Sequence, residues 1–92
     1  MAELILEYST PLRTPDGERF VARAYGEERS DRTWIGWIEF LSITGNGLIL
    51  RTDRETTQPN RTTLEYWASG IEPIYLEGAF ERAQVQSTNA RQ

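Results

Sequence analysis

TWIGWIEFLSI, residues Thr33 to Ile43, is the most apolar stretch of the 92-residue chain, and under period-two alternation both of its faces are apolar. Trp34, Ile38 and Phe40 fall on one side, and Ile35, Trp37, Leu41 and Ile43 on the other. A strand of that kind belongs in the middle of a sheet, with something covering each face. Gly36 stands between the two tryptophans. Having no side chain to displace, it permits a bulge or the close approach of another group.

Working outward, Glu3 to Tyr8 sets Leu4, Leu6 and Tyr8 against Glu3, Ile5 and Glu7, the alternation of a strand with one buried face. Thr14, Pro15, Asp16 and Gly17 then make a turn: proline presets the first corner, aspartate can bond its own backbone, and glycine supplies a left-handed position. The strand that follows, Arg19 to Tyr25, sets Phe20, Ala22 and Ala24 against Val21, Arg23 and Tyr25. Gly26 and the mixed-charge run to Arg32 mark a solvated reversal. Beyond the central strand, Thr44 to Gly47 ends in Asn-Gly, a strong hairpin signal, and leads into a fourth strand, Leu48 to Thr52. This turn has neither the spacing nor the following helix of a phosphate-binding loop. The polar run Arg51 to Gln58 reads as a connection.

Asn60, after Pro59, is placed to cap a helix in which Leu64, Trp67, Ala68 and Ile71 recur on one side, with Leu64 and Trp67 packing on the sheet. Gly70 is expected to end it in the left-handed region, with Ile71 folding back onto Tyr66. After Pro73 the stripe Tyr75, Leu76, Ala79, Phe80, Ala83 predicts a second short helix, although Gly78 costs it about 1 kcal/mol and Ile74 to Leu76 could begin as a strand. Gln84 to Gln92 has no apolar periodicity. The chain therefore reads as α+β: a four-stranded antiparallel β-meander followed by one or two C-terminal helices packed on one face. Residues 1–86 form a single domain, and 87–92 a flexible tail.

Composition narrows the chemistry. There is no cysteine, histidine or lysine, and all ten basic residues are arginine. Disulfides, thiolate nucleophiles, imidazole bases and the usual zinc sites are thereby excluded. No cofactor is implied. Asp53 and Glu55 are the best-placed carboxylate pair for acid-base hydrolysis, but beside Arg51 and Arg54 they read first as a solvated charge cluster. The net charge of −4 argues against a protein built to grip phosphate backbones. A local patch of Arg23, Tyr25, Arg51 and Arg54, with Trp34 and Trp37 as stacking rings, is the form that binding of single-stranded nucleic acid or a nucleotide would take. The start lacks the pattern of a secretion signal and no stretch is apolar enough to span a bilayer, so the expected location is the cytoplasm, away from membranes. In that setting Asn60-Arg61-Thr62 carries no meaning as a glycosylation acceptor.

One helical layer covers only one face of a meander, so Ile35, Trp37 and Leu41 need another cover. Three covers are available: closure of the sheet as a barrel, a second copy of the chain, or a different protein; the last two make this face an interface. The leading expectation is a small non-catalytic interaction module, associating with itself or with another protein through those three residues. The order of three short strands and then a helix beginning near Pro59 and Asn60 also resembles the small antitoxin domains of the HicB type, which implies an antitoxin-like binding role as a further reading. Ser42 to Gly47 has neither the proline nor the Gly-Cys pair of that family's third segment, and Asn60 to Leu64 lacks its acidic pair. No functional residue is carried across.

Overall fold

A computed structural model describes residues 1–45 and 47–90, with side chains as far as Val85. Two long strands, β3 (Arg19–Glu28) and β4 (Trp34–Ser42), pair antiparallel along their whole length, from Phe20 opposite Ser42 to Glu28 opposite Trp34. Each is flanked by an outer strand broken in two. β1 (Glu3–Glu7) and β2 (Leu12–Arg13) both pair with β3, while β5 (Ile49–Arg51) and β6 (Thr56–Gln58) both pair with β4. The result is an antiparallel meander with two interrupted edges, followed by α1 (Arg61–Ser69) and α2 (Pro73–Ala90), which share one face. Among the described residues no helix is long and apolar enough to cross a membrane.

The breaks have local causes. A bulge between Leu4 and Leu6 ends the simple alternation read from the sequence: Leu4 lies beside Tyr25, Ile5 packs into the core, and Leu6 lies opposite Ala24. In the other edge Thr52 mends the ladder with its side chain. Its Oγ1 accepts from the Ile38 amide at 3.1 Å while its own amide donates to the Ile38 carbonyl at 3.0 Å. Glu55 then donates its amide to the Gly36 carbonyl, and pairing resumes at Thr56, inside the stretch expected to be a connection. Those three residues lack any apolar signal, but two of them are β-branched threonines, which favour a strand once an edge is there to pair with.

Among the described turns, the first follows its chemistry and the second departs from it. Gly17 sits at φ +92°, in the turn whose ends are tied from the Thr14 amide to the Glu18 carbonyl. β3 runs on through Gly26 to Glu28, so the second reversal is shorter than expected and closes at Arg32, which takes the left-handed φ of +74°. Asn46, half of the expected Asn-Gly signal, lies outside the described residues; the β4–β5 hairpin it was to mark is present.

Asn60 caps α1 as expected, its Oδ1 accepting from the Thr63 amide at 2.9 Å. Gly70 closes the helix in the right-handed region instead, its amide shared between the Tyr66 and Trp67 carbonyls. Ile71 turns to the core and leaves Tyr66 81% exposed. α2 is one helix through Gly78, with no strand at Ile74, and its backbone continues to Ala90 through most of the stretch read as a tail; residues 91 and 92 lie outside the described residues.

The core follows from these placements. Phe80 of α2 packs its ring 5.0 Å from Phe20 and 5.1 Å from Phe40, at the end of the sheet where Leu50 and Leu12 are also buried. At the opposite end Gly26 and Gly36 are direct partners across β3 and β4, and fully buried Leu64 of α1 rests on them. A Cβ on Gly26 would stand 2.3 Å from Leu64 Cδ2, and one on Gly36 would stand 2.7 Å from Leu64 Cδ1. The close approach anticipated at Gly36 is therefore made by α1. Tyr8, beyond the bulge, ties the same helix to the first edge by donating its hydroxyl to the Ala68 carbonyl at 2.7 Å.

Candidate interaction face

The face of the sheet turned away from both helices is organised in rows by strand register. Glu7, Arg23, Glu39 and Arg51 are successive direct partners across β1, β3, β4 and β5, and so form a line of alternating charge across the sheet. On one side lies an aromatic row, Leu4, Tyr25 and Trp37; on the other lies an aliphatic row, Val21, Leu41 and Ile49. Glu27, Ile35 and Thr57 make a fourth. Register thus brings together six of the seven residues singled out from the sequence: Ile35, Trp37 and Leu41 with Arg23, Tyr25 and Arg51. Arg54 does not join them; it is exposed in the break between β5 and β6.

Trp37, expected to need a cover from a closed barrel or another chain, is covered within its own chain: it is only 2% exposed, because its neighbours close over it. The Arg51 guanidinium carbon lies 4.3 Å from the ring centroid, Tyr25 stacks beside it at 6.4 Å, and Nε1 donates to Glu39 Oε2 at 2.9 Å. A long arginine stem and a cation over an indole face are an inexpensive cover for a large apolar side chain. A fourth kind of cover, the charged row itself, therefore joins the three considered above. Ile35, Leu41 and Val21 remain half-buried, and Ile49 is 54% exposed. The stacking platform drawn from Trp34 and Trp37 does not exist, since Trp34 is on the helix face under Arg61. Trp37 has no free ring surface to offer a base.

Within the row the charges are unequally served. Arg23 Nε donates to Glu7 Oε1 at 2.8 Å, and that carboxylate, followed by the Tyr25 hydroxyl, raises the affinity of Arg23 for its proton. Glu39 is used by an indole N–H and Arg51 by a ring. Among the described residues neither has an oppositely charged partner within 4 Å. Glu7 and Glu39 were not among the candidate residues. The signal for Glu39 was nonetheless legible, as the lone charge within the apolar run Trp34 to Leu41.

Asp53 and Glu55, the candidate carboxylate pair, line a different place: a groove of about 500 Å³ with Glu81, Arg82 and Val85. Glu55 Oε1 accepts from Arg82 at 2.6 Å and from the Tyr75 hydroxyl, which fastens the broken edge to α2. Burial, then the Glu55 hydrogen bond, pushes the Tyr75 hydroxyl up to about 12. Among the described residues no three carboxylates converge as ligands for a metal ion. No protein family, curated protein or solved structure matches the chain.

Proposed function

We propose that this chain is a small non-catalytic interaction module that associates with a second copy of itself through the open face of its sheet. The observation that carries the reading is the order of the charged row. Read from either end, Glu7, Arg23, Glu39, Arg51 is its own complement, so a copy turned end for end sets every arginine opposite a glutamate. The aliphatic row, with Leu4 and Tyr25 of the aromatic row, supplies apolar area. The edges offer less. β1 is bulged at Ile5 and bounded by Glu3 and Glu7, features that discourage strand-to-strand pairing.

A patch four strands wide and seven residues long covers about 450 Å² per copy at standard strand spacings, or about 900 Å² in total. That is below the roughly 1,200 Å² at which standard specific interfaces begin and in the range of weak, transient contacts, so the dimer is expected to be weak and to dissociate on dilution. The test is the solution mass by light scattering over a dilution series, at low and at moderate salt. A dimer that gives way to monomer on dilution, and earlier at higher salt, supports the reading; a monomer up to several hundred micromolar sinks it.

A further inference from the structure

Resting on that reading, we infer that the two-fold axis of the dimer runs along the strands, between β3 and β4. Two symmetric ways of laying the face on itself are compatible with packed sheets. An axis along the charged row leaves each position opposite its own copy: Glu7 on Glu7, Arg23 on Arg23, Glu39 on Glu39, Arg51 on Arg51. An axis along the strands reverses the row, placing Glu7 opposite the partner's Arg51 and Arg23 opposite the partner's Glu39. Like charges face each other in the first arrangement, and opposite charges in the second.

The unequal service of the row points the same way. Arg23 and Glu7 are already paired at 2.8 Å, whereas among the described residues Glu39 and Arg51 have no ionic partner in their own copy. Reversal brings the paired half of one copy onto the unpaired half of the other, so that Glu39 gains an arginine and Arg51 gains a glutamate, twice over by symmetry. The neighbouring rows are preserved by the same operation. Val21 faces the partner's Leu41, and Tyr25 faces the partner's Trp37. The two sheets then lie about 10 Å apart as the inner layers of a sandwich, with the helices of both copies outside. Charges within such an interface cost desolvation, and what they contribute is register, by excluding the arrangement that juxtaposes like with like.

The experiment is a charge swap within one chain. Glu7→Arg and Arg51→Glu are each expected to weaken the dimer at least about tenfold, and the double variant carrying both to bind more tightly than either single variant, although the Arg51 cover over Trp37 and the Glu7–Arg23 pair stay lost. Restoration supports the strand-parallel axis. Losses that simply add, in a protein whose unaltered form does dimerise, overturn it in favour of another docking of the same face. An unaltered chain that stays monomeric removes the underlying reading instead. Should the charge variants unfold by circular dichroism, uncharged probes read the same geometry. The chain has no cysteine. Val21→Cys chains mixed with Leu41→Cys chains should be joined by a short bismaleimide more readily than when mixed with Tyr25→Cys chains, because only the strand-parallel axis sets Val21 opposite the partner's Leu41; the reverse order, which an axis along the charged row would give, overturns the inference.

Discussion

The same two strands, β3 and β4, are closed on one face by helices and on the other by their own side chains, and the two closures work differently. On the helix face the fit is steric: Leu64 stands on a pair of glycines, and Phe80 packs between Phe20 and Phe40. On the open face the largest side chain, Trp37, is covered by a guanidinium, a tyrosine ring and a carboxylate. Steric closure leaves little room for added atoms, because a Cβ on either glycine meets the fully buried Leu64 side chain. Closure by charged side chains can be rearranged, and this makes the second face suited to meeting another surface.

The comparison breaks most sharply at Trp37. If the polar cover truly buries it, Trp37→Ala should cost about 3–5 kcal/mol, as for a core aromatic, measured as a shift in urea midpoint at constant slope. A loss under about 1 kcal/mol would mean the ring was never closed off from water. On the helix face, Gly36→Ala should destabilise by about 1–3 kcal/mol, since its Cβ meets Leu64 Cδ1 and, at 3.1 Å, Thr56 Cγ2. Pairing it with Leu64→Ala should recover part of that loss, which a double-mutant cycle would read.

A pH titration sharpens the contrast from the helix side. Tyr8 and Tyr75 both hold their protons more tightly than a free tyrosine at 10.0, chiefly through burial. The folded state therefore binds more protons than the unfolded chain as these groups titrate. Their contribution to stability is fully present below pH 10 and is lost as pH rises toward about 12 and beyond. Urea midpoints should fall across that window, and Tyr75→Phe should flatten the lower part of the decline. The smallest effect belongs to the exposed row: Glu7→Gln should change monomer stability by less than about 1 kcal/mol, because its pair with Arg23 is solvent-screened. The same change should still weaken association, and a variant that left the mass profile unaltered would count against the proposed face.

How much of this was legible depended on whether a feature is local. Asn60 as a cap, the Thr14 to Gly17 turn and the assignment of β3 and β4 residues to faces rest on a few neighbouring residues, and all were read from the sequence. Thr56 to Gln58 was missed, since a polar triplet becomes a strand only when a ready edge is beside it. The helix past Gln84 was missed for a related reason: its early turns are anchored by Leu76, Phe80 and Ala83, and the rest propagates from them. Ile35, Trp37 and Leu41 were read as one set and Arg23, Tyr25, Arg51 and Arg54 as another; cross-strand register places all of them but Arg54 on one face, which no local pattern shows.

The sequence by itself determined the α+β class, the helix-bearing C-terminal half, the two-sided central strand and the absence of thiol, imidazole and lysine chemistry. These follow from periodicity and residue type, which are properties of the chain whatever its partners. Only the tertiary structure decided that Glu7, Arg23, Glu39 and Arg51 form one row, that Gly26 and Gly36 lie together under Leu64, and that Trp37 is covered. Each of these depends on cross-strand register, and register is set by the bulge, the turns and the packing of the helices acting together.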